Sequence, residues 1–467
     1  MQTGTPPATT GTTSIPELVT KLRSAFDAGR TRPVEWRRHQ LERMKTMLVE
    51  RESELLDALA ADLGKPRLEG WASDIGIVIS EIDYALRHLA SWTKPERARL
   101  PLAQRPGRAA VRPEPYGVAL VIAPWNYPIH LLLLPMVGAI AAGNAVVGKP
   151  SEVSARTATT LGRVVPEYLD RDCVAIVEGG ITETQALLAQ PLDYIFYTGN
   201  GRVGRVVMAA AAEHLTPVTL ELGGKSPAIV DASANVEVAA RRIAFGKFLN
   251  AGQTCVAPDY VLVARTREAE LVQQLARAIR EFYGPDPAAS PDYARIVNDG
   301  HFRRLAQLLD GGTTAVGGTT NAADRYIAPT VLRDVAKDAP VMAEEIFGPI
   351  LPVLTVADVD EAIRFVNERD RPLALYVFAE SEAVQRRVLD GTSAGGVCVN
   401  ATVLHVAVPA LPFGGVGGSG MGAYHGKAGF DTFSHRKGVL TRPTRIDPKL
   451  AYPPYTKVKE RLIRRFL

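Results

Sequence analysis

The chain has 467 residues, more than one hydrophobic core usually organises, so its length predicts two or three domains. Hydrophobic residues make up 46% and charged residues 22%, a balance typical of soluble globular proteins that excludes a disordered or coiled-coil chain. The formal net charge of +4 comes from 54 basic and 50 acidic residues, which gives no reason to expect a nucleic-acid partner.

The number of cysteines and the composition of the N-terminal segment indicate the cellular compartment in which the protein is expected. Only Cys173, Cys255 and Cys398 occur, too few for a disulfide framework, so we expect a reducing compartment and a cytoplasmic protein. Residues 1–16 are rich in Thr, Pro and Gly and have neither a basic start nor an apolar stretch. We therefore expect a flexible tail there and no secretory signal.

The segment after this tail is predicted to be helical. Across residues 14–92, apolar positions recur at helical spacing among Arg and Glu, which is typical of amphipathic helices. Residues 97–115 are rich in Pro and Arg. They predict an exposed connection or hairpin arm and a domain boundary.

Residues 115–148 carry no charged side chain, a run long enough to suggest a membrane span. Three internal prolines and a Gly-Asn pair at 143–144 interrupt it. We interpret the run as a buried strand, a buried helix that ends at Gly143 and a second strand, and we expect no transmembrane segment.

Two series of short apolar strands alternate with helical segments further on. The first covers residues 117–231 and includes the segment SPAIVD, and the second covers residues 259–400. Such alternation predicts parallel sheets with helices on both faces, so the fold class is α/β with two domains. The segment from Phe430 predicts an exposed strand, followed by the basic tail KVKERLIRRFL.

Gly199, Gly201 and Gly204 form a G-x-G-x-x-G pattern between a predicted strand and a predicted helix. Glycines there let the chain turn tightly and approach a pyrophosphate, which the free N–H groups and dipole of the helix attract. The pattern predicts a dinucleotide site, and a glycine turn without a ligand is the alternative.

Glu221 fits two roles. It follows the glycine pattern by about 20 residues, where a carboxylate would bind ribose hydroxyls. It also precedes two glycines at the mouth of a predicted strand, which leaves room for water and substrate and suits a general base. The residues alone leave both roles open.

Cys255 lies in NAGQTCVAP and has no second cysteine at redox or zinc spacing, so we expect no metal site. A catalytic cysteine needs surroundings that favour its thiolate. The alternative is a small buried hydrophobic residue, and the segment alone does not decide between them.

Polar residues also follow two predicted strands. Asn126, in PWNYP, lies between residues with rings, where its amide N–H suits an oxyanion hole or an ordinary turn. Lys149 and Glu152, in GKPSE, fit either contacts to ribose hydroxyls or a solvated ion pair.

Seven motifs, PWNYP, GKPSE, TGN, LELGGKSP, GQTC, EEIFGP and PFGG, occur in the order found in the aldehyde dehydrogenase superfamily, which the chain resembles over residues 14–442. The run LPFGGVGGSGMGAYHGKAGFDTFSHRK resembles the class 3 branch, which includes fatty, aromatic and coniferyl aldehyde dehydrogenases. The resemblance implies a Rossmann-like cofactor domain, an α/β catalytic domain and a small β oligomerisation arm. The implied division is a flexible tail (1–16), an NAD(P)-binding domain (17–97 and 116–222), a catalytic domain (223–429), the arm (98–115 and 430–442) and a C-terminal tail (443–467).

The resemblance also implies roles for matched residues. Cys255 would be the nucleophile that forms a thiohemiacetal and then a thioester, Glu221 the base that activates water, and Asn126 the side-chain half of the oxyanion hole. The residues implied to bind the cofactor are Trp125, Lys149, Glu152, Gly199, Asn200, Gly201, Arg202, Val203, Gly204, Glu345 and Phe347, and those implied to line the substrate tunnel are Tyr127, Asn400, His405 and Phe413.

Departures from the family pattern affect cofactor and substrate. Gly201 stands where relatives often carry a small hydroxyl residue or another side chain, and Arg202 adds a charge near the phosphates. Arg202 would favour the 2′-phosphate of NADP and Glu152 would repel it, so we expect NAD as cofactor with NADP tolerated. The segment Asn400-Ala401-Thr402 lacks the acidic residue that many class 3 relatives have after the asparagine. The family also implies a homodimer joined by the arm and a small-molecule aldehyde as substrate.

Two other functions are compatible with the resemblance. A CoA-acylating relative would pass the thioester to a thiol, and the presence of Glu221 argues against it. A homologue that kept the fold and lost activity is disfavoured because Cys255, Glu221 and Asn126 are all present.

Overall fold

Helices form the first part of the chain in a computed structural model that describes residues 14–447 and 449–466. The Ser14 side chain accepts a hydrogen bond from the Glu17 amide, and the Glu17 carboxylate accepts one from the Ser14 amide. This capping box starts a helix at Ile15, so the predicted tail is wrong for residues 14–16, and residues 1–13 lie outside the described part. The helices are α1 Ile15–Asp27, α2 Val34–Glu50, α3 Glu52–Leu63, α4 Arg67–Gly70 and α5 Ile77–Trp92, with a π-helical segment at Trp71–Gly76.

After a hairpin of two strands, β1 Glu96–Ala98 and β2 Arg108–Pro115, the chain builds a parallel sheet. Alternate residues of its central strand pack into two different cores, one formed with α1 and one formed with a central helix. The sheet is therefore covered on both faces, as parallel sheets require. In chain order its elements are β3 Val118–Ile122, α6 His130–Ala142, β4 Ala145–Lys149, α7 Ala155–Tyr168, β5 Val174–Ile176, α8 Ile181–Leu188, β6 Tyr194–Thr198, α9 Gly201–Glu213 and β7 Val218–Glu221.

The uncharged run forms β3, α6 and β4, as predicted. Every residue of α6 is buried, and Gly143 ends the helix with a φ of 96°. Burial inside the protein therefore explains the absence of charge. Among the described residues, no helix combines the length and apolarity that crossing a membrane requires.

A second sheet of seven strands follows. The segment SPAIVD forms one of its central strands, whereas the sequence pattern grouped it with the first series, and that grouping is wrong. Only residues 222–226 separate this strand from β7, too few for a crossover within one parallel sheet. The elements are β8 Pro227–Val230, α10 Val236–Phe248, β9 Tyr260–Ala264, α11 Glu268–Tyr283, α12 Asp299–Gln307, β10 Thr313–Val316, β11 Thr320–Asn321, β12 Tyr326–Ile327, β13 Thr330–Arg333, α13 Pro340–Ala343, β14 Ile350–Val356, α14 Val359–Asn367, β15 Ala374–Phe378, α15 Glu382–Gly391 and β16 Gly396–Val399.

Across the first sheet the order is β7-β6-β3-β4-β5, and across the second it is β10-β13-β14-β9-β8-β15-β16, with β11 and β12 forming a separate ribbon. The two sheets with their helices confirm the predicted α/β fold. The connections contain 3-10 turns at Leu102–Gln104, Glu152–Ser154, Leu249–Gly252, Arg265–Arg267, Leu308–Gly311 and Leu404–Ala407, and a further one, Lys449–Ala451, follows the last strand.

The C-terminal part returns to the first sheet and then to the hairpin. A short strand, β17 Gly420–Met421, pairs antiparallel with β7, although it lies within the range predicted for the catalytic domain. After α16 Gly426–Thr432, strand β18 Ser434–Thr441 pairs with β2 along its whole length, which completes a three-stranded arm. Within the predicted tail, α17 Lys457–Phe466 is helical.

A buried carboxyl on α5 anchors the turn before α16. The Glu81 side chain is 3% exposed, and its Oε1 accepts a hydrogen bond of 2.5 Å from the Gly426 amide, while Oε2 has no partner. Burial raises the pKa of Glu81 from 4.5 to about 7. Because the folded-state pKa is the higher one, stability that this group contributes below pH 4.5 is lost as the pH rises towards 7.

We expect Glu81→Gln to remove this pH dependence. Relative to wild type, the free energy of unfolding of the variant should rise by up to about 3 kcal/mol between pH 4 and pH 8. Thermal unfolding at both pH values measures the difference, with the exposed Glu42→Gln as the matched control. A difference between wild type and Glu81→Gln that stays constant with pH would show that Glu81 is ionised in the folded protein.

Candidate active site

A cavity of about 560 Å³ opens between the N-terminal helices, α10 and the loop after β16. Cys255 lies on its wall, and most other wall residues are apolar or aromatic. The wall is formed by Pro66, Leu68, Glu69, Ala72, Ser73, Ile77, Tyr127, His130, Leu131, Phe245, Leu249, Thr254, Cys255, Val256, Phe282, Tyr283, Asp292, Val403, Leu404, Val406, Ala407, Phe413, Tyr424 and His425.

Cys255 follows a strained turn. Asn250 and Ala251 both have a left-handed backbone conformation, with φ of 52° and 50°. Residues other than glycine rarely adopt this conformation. At Gly252, whose φ is 75°, an added Cβ would lie 2.3 Å from the carbonyl oxygen of Gly348, so only glycine fits. The strain is concentrated immediately before the cysteine, as is common where a functional group must be held in place.

Hydrogen bonds of Gln253 hold this turn in place. Its Nε2 donates to the carbonyl oxygens of Asn250 and Arg295, both at 3.0 Å, and its Oε1 accepts from the Val297 amide at 2.9 Å. Its own carbonyl oxygen accepts from Asn126 Nδ2 at 3.0 Å. The nitrogen and the oxygen of the buried Gln253 side chain therefore both bind neighbouring backbone, which fixes the loop that carries Cys255.

Asn126 is held in the same network. Its backbone carbonyl oxygen accepts hydrogen bonds from Asn250 Nδ2 at 2.9 Å and Lys65 Nζ at 3.0 Å. Lys65 also forms an ion pair of 2.7 Å with Asp74, and both side chains are fully buried. Because one Asn126 N–H is bound to the cysteine loop, the amide is fixed while its second N–H stays free to act as a donor.

The Cys255 thiol is protonated at rest. Burial, followed by the charges of Glu345 and Glu221, raises its pKa to about 12, and backbone N–H groups of Cys255 and Val256 lower the pKa in part. No disulfide involves Cys255, which is a free thiol. Formation of the thiolate therefore requires a base.

Glu221 ends β7 and is 2% exposed, and neither carboxyl oxygen has a hydrogen-bond partner. Burial raises its pKa well above 4.5. A buried carboxyl without partners is costly for folding, so such a group indicates a functional position. Its charge acts on the Cys255 thiol, which places the two side chains in one electrostatic environment.

Glu345 packs against the chain directly after Glu221. A Cβ added at Gly223 would lie 2.0 Å from the Glu345 carboxylate, so the close approach needs glycine. Burial raises the pKa of Glu345 to about 8, and a hydrogen bond from the Gly224 backbone lowers it in part. Its Oε1 is buried without a partner.

An ion pair that the sequence analysis missed fixes the backbone on both sides of Glu345. Lys225 lies 2.5 Å from Asp259, and Lys225 Nζ donates to the carbonyl oxygen of Glu344 at 2.9 Å. Asp259 Oδ1 accepts from the Ile346 amide at 3.1 Å. Lys225 lies in the LELGGKSP motif, two residues before the fully buried strand β8, and a lysine so close to a buried strand is the signal that would have predicted a buried pair.

The predicted cofactor loop begins α9. Asn200 caps this helix, since its Oδ1 accepts from the Val203 amide at 3.0 Å. At Gly199 an added Cβ would lie 2.2 Å from Tyr197 Oη, so glycine is required, whereas at Gly201 the nearest atom is 3.3 Å away. The helix N-terminus, with its free N–H groups, is the kind of site that binds phosphate. In the first turn of α9, Arg202 is exposed and Gly204 is buried.

The other predicted cofactor residues lie at the end of β4, in the turn that follows it and around one pair of aromatic rings. Lys149 is 2% exposed, donates to the Pro150 carbonyl oxygen at 2.7 Å and lies 3.7 Å from the exposed Glu152. The rings of Trp125 and Phe347 meet edge to face at 5.4 Å between centroids. These observations fit a nucleotide pocket along β4, α9 and the Glu345 segment.

Two of the four predicted substrate-lining residues, Tyr127 and Phe413, lie on the cavity wall, and Tyr127 Oη is 2.6 Å from Thr254 Oγ1. Asn400 and His405 do not. Asn400 Oδ1 accepts from the Ala379 amide at 2.9 Å, which makes it part of a turn after β16, and His405 Nδ1 lies 3.2 Å from Cys398 Sγ. His130 and His425 lie on the same wall and were not predicted from the sequence.

The described residues contain no group of three or more His, Cys, Asp or Glu side chains placed to hold a metal ion.

Comparison with known proteins matches residues 4–439 to the aldehyde dehydrogenase family. The chain is 51% identical over 443 residues to aldehyde dehydrogenase family 3 member A2 of Mus musculus, covering 94% of this chain and 92% of that protein. It is 48% identical over 443 residues to the mouse protein named aldehyde dehydrogenase, dimeric NADP-preferring, covering 94% and 98%. The substrate-bound AldH of Staphylococcus aureus superposes with a TM-score of 0.95 at 46% identity, covering 97% of this chain and all of that one. The chain therefore belongs to the aldehyde dehydrogenase family, within its class 3 branch, and is an aldehyde-oxidising enzyme.

Proposed function

We propose that this enzyme oxidises apolar aliphatic or aromatic aldehydes to carboxylic acids through a thioester on Cys255, with a nicotinamide cofactor. The observation that carries the proposal is a free thiol on the wall of an apolar cavity, within the electrostatic influence of a buried and unpartnered Glu221. Apolar walls bury the hydrocarbon part of an aldehyde, and the polar groups at the thiol act on its carbonyl.

The first step is attack of Cys255 sulfur on the aldehyde carbon. The thiol must lose its proton, and we assign the proton to Glu221 because both of its oxygens are free to accept. The oxygen of the resulting thiohemiacetal becomes negatively charged. The free N–H of Asn126 and the backbone N–H of Cys255 are the donors we assign to it.

The chemistry that a bound nicotinamide cofactor supplies is acceptance of the hydride from the aldehyde carbon. The residues that would hold it are Lys149, the N-terminus of α9 and Glu345. Glu221 must release the thiol's proton to solvent before the second half of the reaction. Water then attacks the thioester, the Cys255 thiolate leaves, and Glu221 takes a proton from that water. A carboxyl with a raised pKa is a stronger base than an ordinary glutamate, which suits this step.

Two side chains bear on the choice between NAD and NADP. Glu152, beside the buried Lys149, would bind a ribose 2′-hydroxyl and repel a 2′-phosphate. The exposed Arg202 at the start of α9 would attract that phosphate, and one relative is named NADP-preferring. We propose NAD as the main cofactor, with NADP accepted.

Absorbance at 340 nm with a panel of aliphatic and aromatic aldehydes and either cofactor tests the proposal. We expect turnover with both classes of aldehyde and higher kcat/KM with NAD. Formation of free acid, measured by chromatography without added CoA, checks that water accepts the acyl group. Turnover that depends on CoA would contradict the hydrolytic step.

We expect Asn126→Ala to lower kcat by about 10²–10³-fold, because an oxyanion donor acts in the transition state and not in substrate binding. KM should change little. Steady-state kinetics with one aldehyde measures both constants, and the rate of Cys255 alkylation by iodoacetamide controls for damage to the loop. Loss of activity that arises wholly from KM would assign Asn126 to substrate binding instead.

We also propose a homodimer that uses the arm. All residues of β18 except Ser434 are exposed, and the strand leaves one edge of the three-stranded sheet free. A free strand edge pairs readily with another chain, and one relative is named dimeric. Light scattering after size exclusion measures the mass, and a monomer at micromolar concentration would contradict the proposal.

A further inference from the structure

Two histidines on the cavity wall have buried nitrogens without partners. His130, the first residue of α6, is 7% exposed, and His425, just before α16, is 3% exposed. The Nε2 atom of each is buried and accepts or donates no hydrogen bond. Their ring centroids lie 6.3 Å apart and the rings are nearly perpendicular. Two unpaired polar groups on a wall that is mostly apolar and aromatic indicate a partner that the protein itself does not provide.

Both rings are uncharged in the folded protein. Burial lowers the pKa of His130 from 6.5 to about 4, and burial together with the neighbouring histidines lowers the pKa of His425 well below 6.5. A neutral imidazole has one N–H donor and one acceptor nitrogen. A hydroxyl group can donate to one such ring and accept from the other, whereas a methyl group of similar size can do neither.

The fold holds the two rings in place. The His130 backbone amide donates to Asp74 Oδ1 at 3.3 Å, which ties the start of α6 to the π-helical segment. His425 has a φ of 73°, a conformation that is costly for histidine, and the adjacent Gly426 amide is held by Glu81. Strain of this kind persists where the surrounding structure fixes a functional side chain.

A tyrosine ring lies next to each histidine, on the side of the residues that surround the thiol. The Tyr127 ring lies 6.3 Å from His130, and its hydroxyl contacts Thr254, the residue before Cys255. The Tyr424 ring lies 4.5 Å from His425, and the charges of Cys255 and Glu221 act on its hydroxyl. Each histidine therefore lies next to a tyrosine whose hydroxyl either contacts Thr254 or is acted on by the charges of Cys255 and Glu221.

We propose that His130 and His425 form a hydroxyl-binding subsite, so that hydroxylated aromatic aldehydes are preferred over analogues of the same size without the hydroxyl. The proposal rests on the proposed function, since it concerns the substrate of the same thiol. A site built to pair a hydroxyl discriminates against its absence, because an apolar substituent displaces water and leaves both nitrogens unpaired.

The test compares kcat/KM for 3- and 4-hydroxybenzaldehyde with kcat/KM for the corresponding methylbenzaldehydes. We expect a preference of about ten-fold for the better hydroxyl isomer in wild type. His130→Leu should reduce this ratio to about one, and His130→Asn, which keeps a donor and an acceptor, should restore part of it. Val406→Ala, on the same wall, is the matched control and should leave the ratio unchanged.

A second measurement does not depend on turnover. The ketones 4-hydroxyacetophenone and 4-methylacetophenone cannot be oxidised at their carbonyl carbon to an acid, and we expect the hydroxylated one to protect Cys255 from iodoacetamide at lower concentration. A wild-type enzyme that oxidises both aldehydes equally and shows equal protection would overturn the subsite and leave the proposed function intact. Preferential protection without oxidation of any aldehyde would support the subsite and contradict the function. A preference that His130→Leu leaves unchanged would also overturn the subsite.

Discussion

Cys255→Ala is expected to abolish aldehyde oxidation, with a fall in kcat of about 10⁴-fold or more, because Cys255 supplies the one thiol among the described residues of the cavity wall. Absorbance at 340 nm measures the loss, and mass spectrometry of the quenched enzyme should show an acyl adduct on wild type alone. The cavity loses only one sulfur atom, so the variant should fold and bind cofactor as the wild type does.

The other two cysteines are the matched controls. Cys173 is fully buried in the core and Cys398 lies beside His405, so Cys173→Ala and Cys398→Ala should retain activity and the adduct. Turnover that persists in Cys255→Ala would refute the thioester route. Loss of activity in all three variants would show that the core tolerates none of the substitutions.

Glu221→Gln is expected to separate the two halves of the reaction. Without a base for water, hydrolysis should slow by about 10²–10⁴-fold, while the acyl enzyme still forms when the thiol is ionised at high pH. Because the pKa of Cys255 is about 12, we expect a burst of reduced cofactor that becomes faster as the pH is raised from 8 to 10 and approaches one equivalent per active site, then slow turnover, and the acyl adduct should persist. Stopped-flow absorbance and mass spectrometry measure the burst and the adduct.

Glu345→Gln provides the comparison for this experiment, since it neutralises the other buried carboxyl that acts on Cys255. Its expected defect lies in cofactor binding, so it should raise the KM for the cofactor and leave no stable acyl adduct. The same stable adduct in both variants would mean that Glu221 has no distinct role in hydrolysis. A Glu221→Gln enzyme with neither burst nor adduct would assign Glu221 to the first step alone.

The order and type of the main elements could be predicted because their signals are local. The uncharged run became strand, helix and strand since apolar length, prolines and Gly143 act within one segment. The assignment of SPAIVD to the first sheet failed because alternation alone ignores the length of a connection. The capped start at Ser14 was missed because the Thr-rich composition upstream hid a Ser-x-x-Glu pattern.

The site was harder to predict because it depends on long-range contacts. Cys255, Glu221 and Asn126 were chosen by motif, but the buried pair Lys65–Asp74 that holds Asn126 joins segments with no common pattern. The orientation of side chains after β16 could not be inferred either, and Asn400 and His405 are not among the wall residues of the cavity. Reducing compartment and cytoplasmic location stay predictions.

The link of five residues between the sheets, 222–226, constrains how this enzyme can evolve. It begins beside Glu221, contains Gly223, where a Cβ would strike Glu345, and contains Lys225, which clamps the Glu345 segment. A single substitution there would disturb hydrolysis and cofactor contacts together, so selection should tolerate few variants. The cavity walls come from helix faces and from the turn Leu404–Ala407, where one change alters only the space offered to the substrate. New substrate ranges are therefore expected to arise through drift in the walls, around a link that stays fixed.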